Sequence, residues 1–97
     1  MARYRQKPEI VDARQFTGGQ ENAAEIIAWL KAKGCKRLQW VDNQTVLDIH
    51  LVERLSFASP GKDTIIRSAY RKDYIVNKGD SWRIFPERKF LERFESI

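Results

Sequence analysis

The chain is poor in the residues that build metal centres and cross-links: it has one cysteine, Cys35, and one histidine, His50, in 97 residues. A lone cysteine excludes an internal disulfide. One Cys and one His cannot supply the four ligands of a structural zinc site, so no metal is expected. The surroundings of Cys35 (Lys33-Gly34-Cys35-Lys36-Arg37) and of His50 resemble no nucleophile motif. Cys35 reads instead as a small residue entering a strand. Long apolar runs are also missing. No stretch approaches the ~20 residues of a membrane helix, so no membrane partner is expected. The opening, Met1-Ala2-Arg3-Tyr4-Arg5-Gln6-Lys7-Pro8, is charged and has no apolar stretch behind it. It is unlike a secretory signal, and the expectation is cytoplasmic. Glycine is too sparse for a phosphate loop: Gly18-Gly19 stands alone, and Gly61-Lys62-Asp63-Thr64 lacks the rest of the motif. No cofactor is expected.

What is present suits one folded unit. Hydrophobic residues make up 42% of the chain and aromatics 11%, enough for a core and too many for disorder. A length of 97 residues points to a single domain, 1–97. Eighteen basic residues against thirteen acidic ones leave a net charge of +5, which favours nucleic acid or an acidic protein surface as partner.

Residues 1–7 read as a basic arm ended by Pro8, and Glu9 to Phe16 as a first strand. The clearest element spans Glu21 to Lys33. Ala23, Ile26, Ile27 and Leu30 recur at helical spacing and make one apolar stripe, beside which Trp29 lies. Acidic Glu21 and Glu25 come early and basic Lys31 and Lys33 late, which complements the helix dipole; Gly34 then stops the helix. Short strands follow. Arg37–Val41 and Thr45–Leu51 are expected to form a hairpin around Asp42-Asn43-Gln44, and Thr64–Tyr70 another with Tyr74-Ile75-Val76. Between Val52 and Asp63 neither periodicity dominates, although Leu55-Ser56-Phe57 could extend or follow the preceding strand. After the turn Asn77-Lys78-Gly79-Asp80 comes Trp82–Phe85. Pro86 then opens a short helix at about 87–95, with Phe90, Leu91 and Phe94 toward the sheet. The expected fold is α+β: an antiparallel sheet of about five strands packed by one main helix at about 21–33, with the C-terminal helix at an edge.

Some of these residues form a recognisable pattern. The start Ala2-Arg3-Tyr4-Arg5-Gln6-Lys7-Pro8 leads into a strand ending Gln15-Phe16-Thr17-Gly18, followed by Ala24-Glu25-Ile26-Ile27. Toward the C-terminus come Gly79-Asp80, Trp82, Phe85-Pro86 and Phe90 to Glu95. This resembles a family of small bacteriophage accessory proteins of unknown function. Ser81 before the aromatic departs from the pattern, as does the lack of a Gly-rich hairpin ahead of the Phe-Pro step. The resemblance implies expression in an infected bacterial cell and action on a host protein. It attaches no reaction to any residue.

Three functions compete. A non-catalytic module that binds and modulates a host bacterial protein (host takeover, growth inhibition or exclusion of other phages) would use Tyr4, Arg67, Tyr70, Arg71, Tyr74, Trp82 and Arg83, since Tyr, Trp and Arg dominate binding hot spots. Trp82 beside a Gly-Asp turn is more commonly core, and tyrosines often only cover a sheet face. The alternative is a nucleic-acid-binding protein using the arm residues Arg3, Arg5 and Lys7 and the helix-end group Lys31, Lys33, Lys36 and Arg37. Against it, basic and acidic residues alternate through much of the chain, and no established nucleic-acid-binding motif is present. Catalysis would have to rest on Asp48 and His50, two apart on one strand face, where a solvated pair is far commoner. The expectation is therefore no enzyme. An exposed sheet edge would also allow a homodimer.

Overall fold

A computed structural model describes residues 3–6, 9–42, 44–46 and 49–96, with side chains over 11–42 and 52–94. In chain order these residues form β1 (Arg3–Gln6), β2 (Glu9–Gln15), α1 (Gln20–Ala32), β3 (Lys36–Val41), β4 (Gln44–Val46), β5 (Ile49–Leu51) and β6 (Arg54–Ala58). They continue with β7 (Arg67–Tyr70), β8 (Tyr74–Lys78), β9 (Ser81–Phe85), α2 (Glu87–Arg93) and β10 (Phe94–Ser96). The architecture is α+β. The strands do not form one sheet of about five. They divide into a five-stranded sheet ordered β10-β1-β2-β8-β9, a three-stranded sheet β3-β6-β7, and the pair β4-β5. Every pairing is antiparallel.

α1 begins and ends within a residue of the expected bounds. Ala23, Ile26, Trp29 and Leu30 are buried and Ile27 is partly so. Its end is a Schellman motif: the Cys35 N–H donates to the Leu30 carbonyl (3.0 Å) and the Gly34 N–H to the Lys31 carbonyl (3.0 Å). Gly34 has φ +89°, a conformation that costs glycine little. Cys35 is carried into the core just before β3, and burial pushes its thiol pKa up to about 11. It is a packing residue and a poor nucleophile.

Four expectations need correction. Arg3–Gln6 is not an arm. It is β1, hydrogen-bonded between β2 and β10, while Met1, Ala2, Lys7 and Pro8 lie outside the described residues. β3 does not form a hairpin with the segment after it. Its partner is β6, and β4 folds onto β5. β7 likewise pairs with β6 and β8 with β2 and β9, so the turn Arg71-Lys72-Asp73 passes the chain from one sheet to the other. That transfer is fixed by backbone bonds from the Phe16 N–H to the Asp73 carbonyl (2.8 Å) and from the Lys72 N–H to the Phe16 carbonyl (2.6 Å). Finally, α2 stops at Arg93, and Phe94 enters β10 in extended conformation. Pro86 is the N-cap of this helix, and Leu91 is exposed while Phe90 and Phe94 are buried.

β8 and β9 form a hairpin whose turn is shorter than expected, since Asn77 and Lys78 belong to β8, with Asn77 Nδ2 donating to the Gly79 and Ser81 carbonyls across it. Two apolar clusters lie on opposite faces of the five-stranded sheet. On one face, Phe16, Ile75 and Trp82 pack with α1 and with Leu55, Phe57 and Ala69 of the three-stranded sheet. On the other, Val11, Ala13, Tyr74 and Val76 pack with Phe90 and Phe94. In β6, four successive residues, Leu55 to Ala58, are buried, so no solvent-facing set exists to give the segment a period.

Candidate functional site

The two carboxylates with the most partners are structural. Glu53 is 2% exposed. It accepts from the Gly19 N–H (2.8 Å), from Trp40 Nε1 (2.9 Å) and from Arg71 Nη2 (3.0 Å). It thus joins the start of α1, strand β3 and the β7–β8 turn. Gly18 shapes this knot: a Cβ there would stand 2.8 Å from both Arg71 Nε and Glu53 Oε1, and its φ is +94°. Asp12 accepts from Trp29 Nε1 (3.1 Å) and Arg14 Nη1 (2.6 Å), and Lys33 Nζ lies 3.5 Å away. The Arg14 guanidinium also sits 4.8 Å from the Trp29 ring centroid. Burial alone would raise both carboxyl pKa values. The donors and cations outweigh it and hold both below the ordinary carboxylate range.

A group with a depressed folded pKa stabilises the fold above its unfolded pKa and loses that contribution as pH falls through the folded value. The melting temperature is therefore expected to be flat between about pH 7 and pH 5 and to fall below about pH 4. Glu53→Gln should flatten that acid limb. A midpoint independent of pH down to about pH 3 would contradict this account.

The residues proposed for partner binding separate into four groups. Tyr74 and Trp82 are 8% and 5% exposed and belong to the two core clusters, so neither offers itself to a partner. Tyr74 stacks on Phe90 (3.7 Å), and Trp82 meets Trp29 and Phe57 edge-on, each at 5.6 Å. Tyr4 lies in β1, opposite Val11 and Ser96.

Arg67, Tyr70 and Arg71 come together on β7 and the turn after it. β7 is the outer strand of its sheet. Just before it, Ile65 and Ile66 are 53% and 50% exposed, and Tyr70 is 47% exposed. The Tyr70 N–H donates to Asp73 Oδ2 and its carbonyl accepts from the Asp73 N–H, both at 2.9 Å. Ser56 and Ser68 face each other in the β6–β7 ladder, with their Oγ atoms 3.0 Å apart. Arg67 Nε is buried without a hydrogen-bond partner among the described residues.

Arg83 stands elsewhere, in a groove of about 290 Å³ on the α2 side of the five-stranded sheet. Val11, Val76, Phe85 and Phe94 form its apolar part, and Lys78, Ser81 and Arg83 its polar part.

Of the helix-end cations, Lys31, Lys33, Lys36 and Arg37 are all exposed around the end of α1 and the start of β3. Lys33 faces Asp12, and Lys36 lies 3.8 Å from Asp63. Arg37 has φ 55° at the β3 irregularity between Lys36 and Gln39. Arg3 and Arg5 lie within β1, and Lys7 is outside the described residues. So is Asp48, while His50 pairs with Thr45 between β5 and β4. Among the described residues no group of three or more His, Cys, Asp or Glu could hold a metal ion, and no helix is long and apolar enough to cross a membrane. Sequence reasoning missed Glu53 and the exposed pair Ile65-Ile66. A lone acid before an apolar run gives no warning that three donors will converge on it.

No protein-family model matches the chain, and no curated protein or solved structure is significantly similar to it.

Proposed function

We propose that this protein works by binding and not by catalysis, as a phage accessory protein that seizes and modulates a host bacterial protein in the cytoplasm of the infected cell. The phage setting rests on the sequence resemblance. The observation that carries the binding mode is the outer edge of β7. There an exposed Ile65-Ile66 pair and Tyr70 lie beside Arg67 and Arg71. β7 has a neighbour on one side only, and such an edge suits the addition of one extended strand from the partner. The two arginines, and the unmet Nε donor of Arg67, favour a strand bearing carboxylates. The buried carboxylates support the non-catalytic reading, because Asp12 and Glu53 are committed as acceptors and are weak bases.

The test is capture from a nuclease-treated bacterial lysate, followed by titration of the purified captured protein. One host protein is expected to bind, and Tyr70→Ala with Ile66→Asp should weaken it at least about thirtyfold, as loss of a hot-spot aromatic does. Binding that survives both changes would refute the β7 surface. Capture that disappears with nuclease, or an affinity that collapses with salt, would favour nucleic acid held by the cations at the end of α1.

A further inference from the structure

The groove beside Arg83 exists because α2 is too short to cover the sheet face beneath it. Seven residues of helix extend about 10 Å. Five strands spaced about 4.8 Å apart span nearly twice that. α2 sits over the Tyr74 end of the β8–β9 hairpin, held by the Phe90 stack and by Gln15 Nε2 donating to Glu87 Oε2 (2.6 Å). The turn end of the hairpin stays open. The register then sets a gradient along the groove, from Tyr74 opposite Phe85, through Val76 opposite Arg83, to Lys78 opposite Ser81. Aromatic and aliphatic surface lies at one end, and two cations with a hydroxyl at the other.

We propose that this groove binds a small amphipathic carboxylate, its apolar body against Val11, Val76 and Phe85 and its carboxylate toward Arg83 and Lys78. No acidic side chain lines the groove among the described residues. Arg83 is exposed and makes no ion pair or hydrogen bond with any of them. Its planar fork matches a carboxylate bidentately, and a charge-assisted pair of that kind is stronger than a neutral one. The volume of about 290 Å³ corresponds to roughly ten waters, enough for a small molecule and too little for a folded partner. A bare inorganic anion would leave the apolar half of the groove unused. The site shares no residue with the β7 surface, so the two stand or fall separately.

2-Naphthoate is a suitable probe, with 2-naphthamide as its uncharged counterpart and inorganic phosphate as the anion without an apolar body. Titration of the whole protein followed by NMR should show saturable one-to-one binding of naphthoate. Shifts should be confined to the Val11 and Val76 methyls and the amides of Ser81–Phe85. The amide should bind at least about tenfold more weakly, and Arg83→Gln should weaken naphthoate by a similar factor with unchanged melting, because the side chain is exposed. Equal binding of acid and amide, indifference to Arg83→Gln, shifts elsewhere, or no saturation in the millimolar range would each overturn the proposal. So would phosphate displacing naphthoate at equal concentration, which would mark a simple anion site.

Discussion

Glu53→Ala is expected to be among the most damaging single substitutions in the chain, costing about 3–5 kcal/mol of stability. The reason is asymmetry among its partners. The Gly19 N–H and Trp40 Nε1 are part-buried donors that would lose a charged acceptor with nothing to replace it. Arg71 would merely return to water, since its side chain is 59% exposed. Arg71→Ala should cost less, about 1–3 kcal/mol, because Glu53 would stay buried and lose its cation but keep the Gly19 and Trp40 donors. For a domain of this size the difference should be plain in thermal melting, at roughly 4–8 °C per kcal/mol. Glu53→Gln, which keeps the shape and one acceptor, should fall between the two. Equal losses for Glu53→Ala and Arg71→Ala would mean that the ion pair alone matters and that the knot has been misread.

Phe90→Ala should cost a comparable amount, about 3–5 kcal/mol, but act locally. Phe90 is fully buried and stacks on Tyr74 at 3.7 Å with a 6° interplanar angle, and on Phe94 at 4.6 Å. A seven-residue helix has no independent stability in water, so α2 is held to the sheet by this ring and by the Gln15–Glu87 bond. Without the ring, residues 87–96 should lose amide-exchange protection. The cluster of Trp29, Trp82 and Phe57 on the opposite face should keep its aromatic circular-dichroism signal. Unchanged protection over 87–96 would show that something other than Phe90 holds the helix.

How far the sequence could be read depended on where water lies. α1 was legible because one side of it is solvated, so its apolar stripe and its Gly34 stop stand out. β6 was not, because Leu55 through Ala58 are all buried and the usual alternation vanishes. The pairing errors share one cause. Proximity in sequence favours hairpins between neighbouring segments, whereas β3 waits for β6 and the turn after β7 crosses to another sheet. Among the binding candidates, residue type alone could not separate exposed Tyr70 from buried Tyr74, which lie four positions apart on different sheets. Arg67, Tyr70 and Arg71 do converge, but the isoleucines that make their patch apolar carried no signal until their exposure was known. Arg83 is set apart from these three, in the groove that α2 leaves uncovered, and its residue type gave no sign of that separation.

The two-faced burial of β8 has a consequence for strand alignment. A strand with one wet face resists slipping by one residue, because the slip would exchange its oily side for its wet one. β8 has no such guard: Tyr74, Ile75, Val76 and Asn77 are all buried, so a slipped strand would still present apolar groups both ways. Its alignment falls to polar anchors at its two ends, the Asn77 amide clasping the hairpin turn and the peptide bonds between Phe16 and the Lys72-Asp73 corner. In this sheet hydrophobicity supplies the cohesion, and a few hydrogen bonds decide which residue sits opposite which.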